Sequence, residues 1–216
     1  MPSRYVVRNY VEDGIYHIYN KSAEDLLYKD DQDYRVFLFY LLIYTSPKES
    51  VKGKYPDLPF RLESKNLHDD IKILGYCLMP SHFHLLIQQK TRNAISKLMK
   101  QIINGYTLYF NQKYQRRGSL MQGRYKAAKI ENKHVTQIWR YIHLNPMMEN
   151  ISEHPIEYKW SSYKFFMGEP DEIRIDQMYI QNFFKNPMEI EKFHTDRDDY
   201  QNQLSAIKEI VIEEFK

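Results

Sequence analysis

The sequence predicts a mixed α/β (α+β) fold in which a central antiparallel sheet is flanked by helices. Residues 13–20 are predicted to form a first strand, with Ile15, His17 and Tyr19 on one face and Tyr16 and Ile18 on the other. Two further strand-like runs, 71–79 and 82–89, are separated only by Pro80-Ser81, which indicates an antiparallel hairpin. From residue 93 to about 114, apolar residues recur at helical spacing, so a long amphipathic helix follows the hairpin.

The remaining elements are predicted from their end signals. Asp31 is the candidate N-cap of a first helix that runs to about Thr45. Residues 46–69 are rich in Pro, Lys, Ser and Asp and are predicted to be irregular, and Gly118 is the expected stop after the long helix. Asn132 is expected to cap a short helix that Pro146 closes, whereas residues 119–130 are either a strand or an extended basic segment.

Composition limits the class of protein. A chain of 216 residues with 43% hydrophobic and 15% aromatic residues can bury one sizeable core, so we expect a main domain over residues 1–150. Residues 151–216 are predicted to be a helical C-terminal extension that packs on or trails from it. The single cysteine, Cys77, excludes an internal disulfide and a cysteine-based zinc site. With no apolar run of membrane-spanning length and no signal-peptide pattern, we expect a cytoplasmic protein with no membrane partner.

The pair His82 and His84 is the strongest candidate for a functional motif. Both histidines lie on a predicted strand, two residues apart, so their side chains project from the same face. Two neutral imidazoles side by side form half of a divalent-metal site. The alternative is one buried, hydrogen-bonded histidine beside an exposed one.

Tyr141 and Asn145 add a candidate nucleophile and a third metal ligand. They are spaced i, i+4 on the predicted short helix, so they share a face that could pack over the histidines. A tyrosine on an apolar helical stripe can equally be a core residue. The chain has 19 tyrosines, and other candidates for the nucleophile are Tyr106, Tyr109, Tyr114 and Tyr125.

Basic residues mark a candidate surface for single-stranded nucleic acid. Cations that contact phosphates, interleaved with rings on which bases stack, are typical of such surfaces. The first group lies between the long helix and the tyrosine helix, interleaved with two tyrosines, and consists of Arg116, Arg117, Arg124, Lys126 and Lys129. A second group near the start consists of Arg4 and Arg8, beside Tyr5. A solvated charged face is the alternative interpretation.

Several ordered blocks between Gly14 and Gly168 resemble the REP-associated tyrosine transposases, a branch of the single-tyrosine (IS200-like) transposases with a histidine–hydrophobe–histidine (HUH) motif. The blocks are Gly14-Ile-Tyr-His17, Gly75-Tyr-Cys-Leu-Met-Pro-Ser-His-Phe-His-Leu-Leu86, Tyr106-Thr-Leu-Tyr-Phe-Asn111, Gly118-Ser-Leu-Met-Gln-Gly-Arg-Tyr125, Arg140-Tyr-Ile-His-Leu-Asn-Pro146 and Trp160-Ser-Ser-Tyr163. The departures are Ser81, where the family often has Asn, and Phe83, where Val is common. Neither removes a ligand, and residues after about 168 match nothing in the family.

The resemblance implies a ferredoxin-like HUH nuclease core and a DNA-transposase activity on single-stranded, hairpin-forming DNA such as REP elements. It implies that His82, His84 and Asn145 hold Mg²⁺ or Mn²⁺ and that Tyr141 forms a 5′-phosphotyrosine intermediate. The oligomeric state, monomer or homodimer, stays open. Two other functions also stay open: a non-catalytic, domesticated regulator that binds single strands, and a metal-dependent hydrolase in which Tyr141 is a core residue.

Overall fold

The computed structural model describes residues 10–210, apart from the side chains of residues 204–206, 208 and 209. Arg4 and Arg8 lie outside the described residues. All the strands of the described residues lie in the first part of the chain, interspersed with helices, and helices alone follow. The elements are β1 (Ile15–Lys21), α1 (Asp31–Thr45), α2 (Lys48–Lys54), α3 (Phe60–Glu63), β2 (Ile71–Met79), β3 (His82–Gln89), α4 (Ala94–Lys113), β4 (Lys126–Ile130), α5 (Val135–Met148), α6 (Tyr163–Phe166), α7 (Gln177–Gln181), α8 (Pro187–Thr195) and α9 (Arg197–Ile210).

Within residues 10–210, the strands form one antiparallel sheet in the order β2-β3-β1-β4. The chain order β1-α1-β2-β3-α4-β4, read with this strand order, is the ferredoxin-like arrangement. The α+β prediction, with an antiparallel sheet flanked by helices, is therefore confirmed. The β2–β3 hairpin has the predicted bounds, and the ambiguous segment 119–130 contains the edge strand β4 only in its last part.

The helices divide between the two faces of the sheet. Phe83 points toward α1 and α4, where its ring centroid lies 5.1 Å from that of Phe37, and Phe37 also contacts Tyr106. Side chains alternate along a strand, so His84 points to the other face, which α5 covers. The predicted functional residues on β3 therefore face α5 and the helices that follow it.

The close approach of α5 to β2 depends on a glycine. A Cβ atom on Gly75 would lie 3.0 Å from Cδ1 of Trp139 and 3.4 Å from Oγ of Ser162. The pairing of β2 with β3 is also irregular between Ile73 and Gly75. The absence of a side chain at this point lets Trp139 pack directly on the strand backbone.

Some predicted helix ends were wrong by a few residues. The N-cap of α1 is Asp30, whose side chain accepts hydrogen bonds from Gln32 N–H and Asp33 N–H. Two short helices, α2 and α3, interrupt the segment that was predicted to be irregular. The long helix α4 ends at Lys113 before a left-handed Gln115 (φ 51°), rather than at Gly118.

Pro146 does not close α5, which continues to Met148. The N–H group that proline lacks would bond only to the carbonyl one turn earlier, and one lost bond in the last turn is tolerated. The helix instead stops ahead of Asn150, which adopts a left-handed conformation with φ 56°. Asn150 N–H donates to Met147 O (3.1 Å), and Ile151 N–H donates to Pro146 O (2.8 Å), which is a Schellman motif.

Residues beyond 150 lie along the outer edge of β2 and over α5. Leu78 N–H donates to Trp160 O (2.9 Å), and Tyr76 N–H donates to Ser162 Oγ (2.8 Å). Farther along, Asp176 N–H donates to Ile73 O (2.8 Å). The domain boundary at residue 150 stays a prediction. None of the helices in the described part of the chain is long and apolar enough to cross a bilayer.

Candidate active site and metal centre

His82 and His84 occupy the face of β3 that lies under α5. His84 has no solvent exposure, and His82 retains only 6%. On the neighbouring strand β1, Lys21 pairs with His82 and Tyr19 pairs with His84. The Tyr19 ring contacts both imidazoles, at centroid distances of 5.6 and 5.2 Å. The two histidines therefore line a compact site at one end of β3.

One ring nitrogen of each histidine is held by a neighbouring side chain. Ser81 Oγ lies 2.9 Å from Nδ1 of His82, and His17 Nε2 lies 2.9 Å from Nδ1 of His84. In both rings, Nε2 is consequently the nitrogen that would face a metal.

The sequence interpretation did not place His17 in the site, because His17 shows no ligand spacing. The side to which His17 points could be predicted from its position in the strand, but only the pairing of β1 with β3 brings it to His84.

Three polar residues one turn apart face the histidines, two on α5 and the third at its C-cap. The Tyr141 ring lies 5.8 Å from that of His84, and the Asn145 side chain lies within hydrogen-bonding reach of both His82 and His84. One turn later, Glu149 Oε1 lies 3.7 Å from Nε2 of His82. The structure thus brings the predicted Tyr141 and Asn145 to the histidine pair, and it adds Glu149, which the sequence interpretation missed. A continued i, i+4 count along this helix would have found it.

Burial keeps the histidines neutral. Burial lowers the pKa of His82 to about 4, against an opposing hydrogen bond to Asn145, and the nearby charge of Lys21 lowers it further. Burial, together with the neighbouring His82 and His17, holds the pKa of His84 well below its usual value. The 3.7 Å contact between His82 and Glu149 is therefore not an ion pair at neutral pH. Neutral imidazoles keep the lone pairs that a metal requires.

The side chains fit a divalent metal if the amide is counted as a donor. Among residues 10–210, no three His, Cys, Asp or Glu side chains are grouped closely enough to hold a metal. Asn145, however, contacts both histidines and adds an oxygen to their two nitrogens. Two imidazoles and an amide suit Mn²⁺ and are compatible with Mg²⁺.

The alternative tyrosines are engaged elsewhere. Their hydroxyl groups donate to Leu27 O (Tyr106), to the Asp33 carboxylate (Tyr109 and Tyr114), or pair with the Tyr10 hydroxyl (Tyr125). Tyr19, by contrast, lies in the site, because its half-buried ring contacts both histidines. The sequence interpretation did not consider it as a nucleophile.

The predicted basic residues separate into different environments. Arg117, Arg124 and Lys129 are exposed. Arg116 is tied to the protein, since its guanidinium group pairs with Glu24 (2.6 Å) and donates to Asn111 and to the Ser119 carbonyl. Lys126 lies over the Tyr19 ring at 5.9 Å, on the histidine face of the sheet. Alternation along β4 places Lys129 on the opposite face. A DNA-contact role for all of these residues stays a prediction.

Comparisons with known proteins identify a family and a fold that this chain resembles. Residues 59–145 match the family model of IS200-like transposases, a segment that contains both histidines, Tyr141 and Asn145. A solved structure of a REP-associated tyrosine transposase bound to a REP hairpin has the same fold, with a TM-score of 0.54 and 14% sequence identity. That match covers 78% of this chain and 88% of the other. No curated protein matches the chain. The comparisons confirm the resemblance that the sequence motifs predicted.

Proposed function

We propose that this protein is a metal-dependent transposase that nicks single-stranded, hairpin-forming DNA and transfers the strand through Tyr141. The observation that carries the proposal is the meeting of Tyr141 and Asn145 on α5 with His82 and His84 on β3. Hairpin DNA is the proposed substrate because the solved transposase of similar fold is bound to a REP hairpin.

In the proposed reaction, the Tyr141 oxygen attacks the scissile phosphorus and the bond from phosphorus to the 3′ oxygen breaks. The phenol loses its proton and the departing strand gains one, which leaves a 5′-phosphotyrosine and a free 3′-hydroxyl. The new ester retains the energy of the phosphodiester, so a second 3′-hydroxyl can replace the tyrosine without ATP. A metal held by His82, His84 and Asn145 would polarise the phosphate and stabilise the charge that develops on it.

The burial of Tyr141 favours the alternative function of a protein that binds single strands without cleaving them. Its side chain has no solvent exposure, so a phosphate could reach the phenol oxygen only after α5 or its neighbours move. A protein that binds structured single strands without cleaving them would need no such movement. The two functions differ in whether a covalent adduct forms.

The deciding experiment is incubation with single-stranded hairpin DNA and Mn²⁺, followed by denaturing gel electrophoresis. We expect a protein–DNA adduct with the wild type, and none with Tyr141→Phe or His82→Ala. Tyr19→Phe is the matched comparison, because Tyr19 also contacts the histidines, and it should still form the adduct. Loss of the adduct in Tyr19→Phe, together with its retention in Tyr141→Phe, would move the nucleophile to Tyr19. Salt-sensitive binding without any adduct would support the non-catalytic regulator.

The exposed cations are proposed to contact the DNA backbone. Replacing Arg124 with Gln should weaken hairpin binding regardless of sequence and reduce the slope of log affinity against log salt by about one. Lys185, an exposed residue outside the predicted basic group, provides the control as Lys185→Gln. An unchanged salt slope in Arg124→Gln would remove Arg124 from the contact surface.

A further inference from the structure

Glu149 extends the functional stripe of α5 beyond the residues that the family resemblance supplies. We propose that the Glu149 carboxylate provides an anionic oxygen ligand to the divalent metal, on the His82 side of the site. This inference deepens the proposed function and rests on it. It explains how a site that otherwise contains only neutral donors would hold a hard, doubly charged cation.

The two facing atoms support this role. Glu149 Oε1 lies 3.7 Å from His82 Nε2, while Ser81 occupies the other nitrogen of the same ring. Metal–nitrogen and metal–oxygen bonds are about 2.0–2.6 Å long, so one ion can bind both atoms with a small inward shift of the carboxylate. The Glu149 side chain is 45% exposed, against 8% for that of His82, and so it can make that shift.

The end of α5 fixes Glu149 relative to Asn145. Glu149 N–H donates to Asn145 O at 3.1 Å, and the left-handed Asn150 that follows completes the Schellman motif. The backbone that carries Glu149 is therefore held one turn from the proposed amide ligand. The same stripe places Tyr141 two turns away, about 12 Å along the axis.

Charge and donor type favour a carboxylate at this position. His82, His84 and Asn145 contribute two nitrogens and one amide oxygen, and none of them neutralises charge. Magnesium and manganese ions are bound in proteins chiefly through carboxylate and other oxygen ligands. Glu149 is the acidic residue that the structure places against His82.

The test is calorimetric titration of the DNA-free protein with Mn²⁺. We expect Glu149→Gln, which removes the charge but keeps the shape, to weaken Mn²⁺ binding about tenfold or more. The matched control is Glu153→Gln, which removes one charge from an exposed glutamate four residues farther along and should bind Mn²⁺ as the wild type does. Thermal unfolding of both variants in the absence of metal verifies that they are folded.

The outcomes separate this inference from the proposed function. If Glu149→Gln binds Mn²⁺ as tightly as the wild type while His82→Ala does not bind, Glu149 is not a ligand and the transposase site stands. Equal weakening by Glu149→Gln and Glu153→Gln would reduce the effect to general electrostatics and also overturn the inference. If the wild type itself binds no Mn²⁺, the metal-dependent function and the inference both fail.

Discussion

His17 Nε2 lies 2.9 Å from His84 Nδ1, and the two imidazole rings meet edge to edge in nearly the same plane, with an interplanar angle of 9°. A neutral His84 that uses Nε2 for a metal must carry its proton on Nδ1, and His17 Nε2 is placed to accept that proton's hydrogen bond. Metal-binding histidines are commonly oriented by such a partner, which fixes both the tautomer and the ring. We therefore regard His17 as a positioning residue.

Replacing His17 with Ala should weaken Mn²⁺ affinity by about tenfold to a hundredfold, because His84 would lose the partner that orients it. Mn²⁺ titration measures the effect. His17→Gln, which retains a hydrogen-bond acceptor, should recover part of the loss. Equal affinities for the wild type and His17→Ala would show that His84 needs no orienting partner.

Adding one methyl group at Gly75 should be destabilising. In Gly75→Ala, the new Cβ would lie 3.0 Å from Trp139, which belongs to the same helix as Tyr141. We expect a loss of about 1–3 kcal/mol in the free energy of unfolding, together with reduced adduct formation. Gly53→Ala is the control, because nothing lies within 4 Å of its added Cβ and alanine favours the helix α2. Urea unfolding should show opposite signs for the two variants.

The C-terminal helix α9 should stabilise the tyrosine helix through an ion pair. Arg140 is fully buried, and its guanidinium donates to the Asp199 carboxylate (2.6 Å) and to Phe193 O (2.7 Å). Asp199→Asn should lower the free energy of unfolding by about 1–2 kcal/mol, since it leaves a buried charge less well compensated. Asp198→Asn, at the exposed neighbouring position, should have little effect in the same urea titration. Similar losses in both variants would argue against the ion pair.

Stability should decrease in mild acid, and His194 should contribute. Burial lowers the pKa of His194 from 6.5 to about 3, against an opposing hydrogen bond to Ile190 O, and the positive charge of Arg140 lowers it further. Between these values the unfolded chain binds a proton that the folded protein does not. The free energy of unfolding should therefore fall as the pH drops below 6.5, by about 1.4 kcal/mol per pH unit for this residue.

Urea unfolding between pH 7.5 and pH 5 tests this dependence. His194→Gln should lose stability less steeply over the acidic part of the range, whatever its stability at pH 7.5. An identical slope in the wild type and the variant would mean that His194 takes up its proton equally in both states.

Local patterns were sufficient to predict much of the fold. The β2–β3 hairpin was predicted at its observed bounds because two strand-like apolar runs and the Pro80-Ser81 break are encoded within a few residues. The end of α5 was mispredicted at Pro146, since a proline in the last turn removes only one hydrogen bond and the Schellman motif at Asn150 decides the stop. Arg116 illustrates a similar limit of prediction from sequence. Its positive charge is evident from the sequence, but its ion pair with Glu24 joins residues far apart in the chain and could not be predicted.

The sequence by itself determined the first strand, the first helix, the β2–β3 hairpin and the long helix in their order, the histidine pair on one face of a strand, and the i, i+4 spacing of Tyr141 and Asn145. Only the tertiary structure decided that α5 covers that face, that His17 backs His84, and that Glu149 reaches His82. The reason is that the type of each element depends on residues near it in the sequence, whereas these contacts depend on how strands and helices far apart in the sequence pair and pack. A shift of one residue in the pairing of β1 would turn His17 to the opposite face of the sheet.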